Sequence, residues 1–138
     1  MHASDPKIDF LPLQWYEVNR TVIRRKTEGG SDVSLSRFPK MPIHDGEVVY
    51  ATDEVIVKAR IQPCTCIVLY TDDMATIGSF CFDVGNRHLP IFCIDDKIVV
   101  SYDGRLFQAL FGKYGEKVKM ETKVLDAEYA IKAFGNYL

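Results

Sequence analysis

Histidine is scarce in this chain, with three among 138 residues, and tryptophan occurs once. No apolar run is long enough to cross a bilayer, and the N-terminal stretch has no signal-peptide core, so a soluble, cytoplasmic protein is expected. There is no glycine-rich phosphate loop, no Gly-x-Ser-x-Gly elbow and no His-Glu-x-x-His helix. These absences remove the commonest phosphoryl-transfer, acyl-transfer and metalloprotease readings. A net charge of -2 gives no reason to expect nucleic acid or an anionic membrane as partner.

Cysteine is limited to Cys64, Cys66, Cys81 and Cys93. Without a secretory signal an even count does not argue for disulfides. Cys64-Thr65-Cys66 lacks the two-residue gap of a zinc knuckle or thioredoxin-like motif. On a strand the two sulfurs would share a face, and all four thiols are expected to act as small buried hydrophobes. Cys81 or Cys93 paired with His88 is a conceivable nucleophilic dyad. Cys81 is expected to face inward and Cys93 to lie in an apolar strand, so neither suits an exposed thiolate.

What is present is a globular balance, 47% hydrophobic against 26% charged residues. The first fifteen residues carry few regular signals, and His2 is expected on a mobile end. From Gln14 the pattern is read as stranded. Thr21-Val22-Ile23 is β-branched, residues 27–32 form a turn cluster, and Val33 and Leu35 alternate with serines. His44-Asp45-Gly46 makes a turn before Glu47–Tyr50, and His44 has no companion at ligand spacing. Val55, Val57, Ala59 and Ile61 share one strand face. Arg20, Arg24, Arg25 and Lys26 are read as a solvated strand edge. Residues 1–61 are therefore expected to form a small all-β domain.

Gln62-Pro63 is the expected hinge, with a second domain over residues 62–138. Cys64–Tyr70 reads as a strand. A helix follows from a Thr71, Asp72 or Asp73 cap, with Met74, Ile77, Cys81 and Val84 as its apolar stripe and Gly85 as its left-handed terminator. Leu89–Ile94 and Ile98–Tyr102 read as a hairpin. Asp103 caps a second helix with Leu106, Phe107, Leu110 and Tyr114 inside and Gly115 at its end. Val118, Met120 and Thr122 alternate in a last strand. The fold class is α+β: a small all-β domain followed by a ferredoxin-like βαββαβ domain.

His88 stands at the helix-to-strand corner, in Gly85-Asn86-Arg87-His88, where a side chain can point out of the fold. The segment Asp83-Val84-Gly85-Asn86-Arg87-His88-Leu89-Pro90 resembles the signature of the UreE family, the urease accessory nickel metallochaperones. Ile94–Ile98 and Tyr102–Leu106 follow in the family's order, and Trp15, Arg20, Arg24–Thr27, Gly30, Asp32 and Asp45–Val48 agree in the first half.

The resemblance implies a homodimer through the second domain, with His88 from two subunits binding Ni(II) at the two-fold axis. Zn(II) or Cu(II) would fit the same imidazoles. Gly85, Asn86 and Arg87 are then the turn that aims the ring, and Asp103 is a weak oxygen-donor candidate besides its capping role. It further implies, as partners, the accessory GTPase of urease maturation and apo-urease. No histidine follows His88, unlike the histidine-rich tail of many relatives, so delivery through one shared site is expected rather than storage. Two rival readings are a docking adaptor with little metal affinity and an RNA-binding sheet using Phe92, the latter opposed by the acidic balance.

Overall fold

A computed structural model describes residues 5–37 and 41–132. His2 and the last six residues lie outside the described part. The chain divides into two compact units, one holding residues up to Gln62 together with Asp126–Glu128, the other holding Pro63–Leu125 and the chain from Tyr129 on.

The first unit is built on a three-stranded sheet and a separate hairpin. Strand β1 (Lys7–Leu13) runs parallel to β5 (Val55–Ile61), and β4 (Val48–Ala51) pairs antiparallel on the other side of β5. The hairpin of β2 (Val22–Lys26) and β3 (Asp32–Ser36) lies within the connection from β1 towards β5. Leu11, Leu13, Ile23, Val33, Val57, Ala59 and Ile61 are buried, as the period-two alternation of each strand requires.

Two expectations for this unit fail. Within the first fifteen residues Lys7–Leu13 form a regular strand, because β1 accommodates Pro12 at the sheet margin, where a missing N–H is tolerated. Gln14 does not begin a strand. It precedes a short 3₁₀ turn, Trp15–Glu17, whose Glu17 carboxylate accepts the Gln14 N–H at 2.9 Å.

The second unit contains β6 (Cys64–Leu69), α1 (Met74–Asn86), β7 (Phe92–Ile94), β8 (Lys97–Ser101), α2 (Gly104–Tyr114) and β9 (Val118–Lys123). The sheet order is β7-β8-β6-β9 with antiparallel neighbours, the ferredoxin-like split βαβ arrangement. The helices cover one sheet face over a core of Ile67, Leu69, Phe80, Val84, Val100, Leu106, Leu110, Tyr114 and Val118.

The inward stripe of α1 keeps Ile77 and Val84 of the expected set and adds Phe80, while Met74 and Cys81 fall off it. Phe80 is fully buried, whereas Met74 is 78% exposed and Cys81 only half-buried. The helix phase explains this: positions 77, 80 and 84 share the sheet-facing side, and 74, 78 and 82 run along another. β7 begins at Phe92 rather than Leu89, since His88 has positive φ and Pro90 lacks an N–H, so residues 88–91 carry the turn out of α1 before the strand starts. In β9 only Val118 is buried, and Met120 and Thr122 are exposed on this edge strand.

Candidate metal centre

Asp73 caps α1, its carboxylate accepting the Thr76 N–H at 3.0 Å. Val84 anchors the last turn in the core. The helix then runs past Gly85 to Asn86. Arg87 donates its N–H to the Val84 carbonyl at 3.1 Å, and His88 donates to the Gly85 carbonyl at 3.0 Å. The left-handed residue that ends α1 is therefore His88, with φ of +58°, and not Gly85. Both Asp95 and Asp96 also have positive φ, but they form the two-residue turn of the β7–β8 hairpin, which demands it. A β-carbon at the end of α1 has no such topological excuse and costs about 1–2 kcal/mol relative to an ordinary helical residue.

Residues 85–90 are all exposed. His88 thus stands clear of the fold, on the last turn of a helix whose outer side is apolar. Met74 (78% exposed), Gly78, Phe82 (69%) and Gly85 follow at helical spacing, and Leu89 (38%) comes after the histidine. A β-carbon added at Gly78 or Gly85 would meet nothing within 4 Å. Asp103 caps α2 through an Oδ1 that accepts the Leu106 N–H at 2.9 Å. Among the described residues no group of three or more histidines, cysteines and carboxylates is placed to hold a metal ion.

His44 does have a companion, one that its sequence neighbourhood conceals. Its Nδ1 lies 3.3 Å from Oδ2 of Asp126, a buried carboxylate whose other oxygen accepts the Asp45 N–H at 3.0 Å. Asp45 in turn accepts the Ile61 N–H at 2.8 Å. These contacts dock Asp126–Glu128 within the first unit. A partner 82 positions away leaves no local signal.

The basic cluster is not a uniformly solvated edge. Arg25 grips the buried Glu17 through both guanidinium nitrogens, one at 2.6 Å, and Arg20 adds a contact at 3.0 Å. The Arg25 hydrogen bonds hold the Glu17 carboxyl below the usual range against the opposing effect of burial.

Three of the four thiols are poor nucleophiles. Cys64 and Cys66 share a strand face with their sulfurs 3.8 Å apart, and burial pushes the Cys66 thiol up to about 12. Burial also raises Cys64 and Cys81. Contrary to expectation, Cys93 is exposed, because its strand lies at the margin of the sheet.

No protein-family model matches the chain. It is, however, 33% identical over 120 residues to the urease accessory protein UreE of Acetivibrio thermocellus, spanning 84% of this chain and 78% of that protein. The chain belongs to the UreE family. The UreE protein of Haemophilus influenzae strain PittEE is 30% identical over 131 residues, covering 94% of this chain and 70% of its own length. That of Flavobacterium johnsoniae is 29% identical over 114 residues, covering 80% and 69%. In this UreE-family chain the Asp83–Pro90 segment thus runs from the last turn of α1, anchored by buried Val84, into the exposed corner 85–90 with its left-handed histidine.

Proposed function

We propose that the protein is a non-catalytic, cytoplasmic chaperone that carries Ni(II) for assembly of the urease active site, with His88 from each of two subunits as the shared metal ligand. The observation that carries this is the exposed, left-handed His88 at the end of an uncovered apolar stripe. A single imidazole is a poor site. A two-fold axis beside α1 would bury Met74 and Phe82 against their copies and bring the same imidazole to itself, since an isologous interface pairs a residue with its own copy. Gly78 and Gly85 leave room for such an approach.

Imidazole suits nickel, and a site with few protein ligands keeps positions open for release of the cargo. Zn(II) and Cu(II) fit the same nitrogen donors. Gly85, Asn86 and Arg87 shape the turn, and Asp103 keeps one carboxylate oxygen outside its capping bond. The implied partners are the accessory GTPase of the pathway and apo-urease. Because the ligating imidazole must be neutral, occupancy should fall on acidification.

The reading is tested by light scattering over a dilution series. A metal that binds the assembled form stabilises it by mass action. Dimers should dissociate on dilution in chelator and re-form on addition of nickel, and His88→Ala should lose the nickel response. A monomer at every concentration, with or without nickel, would remove the shared site and leave the docking-adaptor reading.

A further inference from the structure

Besides its apolar core contacts, the end of α1 is tied to the end of α2 by side-chain hydrogen bonds. Tyr114, the last residue of α2, donates its phenol O–H to Asp83 Oδ2 at 2.6 Å, and its oxygen lies 2.9 Å from the Ser79 hydroxyl. Ser79 and Asp83 are one turn apart on α1, so a single hydroxyl bridges its last two full turns. Lys113 donates to the same Asp83 oxygen at 2.8 Å. The Tyr114 ring is buried and meets Phe80 edge-on, with centroids 5.4 Å apart.

Charge supports the same picture. The Lys113 ammonium, with the Tyr114 hydroxyl, holds the Asp83 carboxyl below its ordinary value. Burial, and then Asp83, push the Tyr114 phenol up, keeping it a donor. Beyond this clamp the segment 85–90 is exposed, with Arg87 and His88 held by the helix-terminal bonds already described. A concavity of about 300 Å³ lined by Asp83, Asn86, Arg87, Ala109, Leu110 and Lys113 adjoins the clamp. The last turn therefore has space to shift if the clamp is cut.

We infer that Tyr114 is a positioning residue for the metal site, locking the final turns of α1 through Asp83 and Ser79 so that His88 is held in register with its copy. The inference rests on the shared-His88 reading. Metal–ligand distances tolerate only about 0.2 Å, and a two-fold axis doubles any displacement of one helix end. Groups that orient a metal ligand commonly carry 10- to 100-fold in affinity.

Tyr114→Phe keeps the ring and deletes the hydroxyl. Asp83→Ala removes the acceptor of the phenol proton and cuts the same clamp from the α1 side. Nickel affinity by chelator competition and the ligand-field absorption of the bound metal are the readouts, taken well below each melting temperature. Tyr114→Phe should bind about tenfold more weakly with a shifted band, and Asp83→Ala should change both readouts in the same direction. Wild-type affinity and spectrum in Tyr114→Phe would overturn the inference. If that variant does not fold, Ser79→Ala decides in its place: reduced affinity with a shifted band supports the clamp, and unchanged values overturn it. Loss of binding in His88→Ala beside an unaffected Tyr114→Phe refutes the clamp alone. A wild type that binds no nickel refutes the metal reading beneath it.

Discussion

His88 combines a β-carbon at φ of +58°, uncommon outside glycine, with an exposed ring. Strained residues persist where the surroundings hold them and tend to gather at functional positions. Substitution separates strain from ligation. His88→Ala keeps the strained β-carbon and loses the ring, whereas His88→Gly loses both. Urea unfolding should find His88→Gly more stable than His88→Ala by about 1 kcal/mol, after allowing for glycine's looser unfolded chain. Equal stability would mean that the turn carries no strain. Motif and corner position were legible at this residue. The left-handed assignment was not, because Gly85 offers a glycine three residues early and the hydrogen bonds that carry the helix past it leave no mark in composition. The partner of His44 was illegible for a different reason. Asp126 reaches it only through the tertiary path of the chain.

Elements were legible where periodicity was strong. The strands β2, β3, β5 and β6 and the helix α2 follow their apolar patterns, with Asp103 and Gly115 at the ends of α2 as capping chemistry requires. The phase of α1 was harder, since Met74, Phe80 and Phe82 offer two overlapping apolar stripes and only the sheet decides between them. Phe80→Ala should cost about 3–5 kcal/mol. Phe82→Ser should leave monomer stability within about 0.5 kcal/mol while weakening self-association. Thermal melts and a dilution series measure the two effects, and the reverse pattern would invert the helix. At the 3₁₀ turn, the Glu17 pair makes a pH prediction. The folded carboxyl binds its proton less readily than the unfolded one, so its stabilisation is complete above its ordinary value of 4.5 and lost as pH falls through the lowered folded value. Glu17→Gln should therefore reduce the acid-side slope of stability in the first unit, followed by fluorescence of Trp15, the sole tryptophan. An unchanged slope would show that the pair does not drive acid unfolding.

At the scale of the whole molecule, the α+β class and the βαββαβ order were readable because each helix and strand of the second unit carries its own start and stop signals. Pairing order, which makes β9 an edge and leaves Met120 exposed, belongs to the sheet and not to any one segment. Assembly is a further step, since no single chain brings three metal-binding side chains together among the described residues. The central claim is that assembly completes the site, and calorimetric titration with Ni(II) of wild type beside His88→Ala tests it most directly. The account predicts one tight event, about one ion per two chains, abolished in His88→Ala while the mutant keeps its fold. Undiminished binding in His88→Ala, or several tight ions per chain, would contradict it.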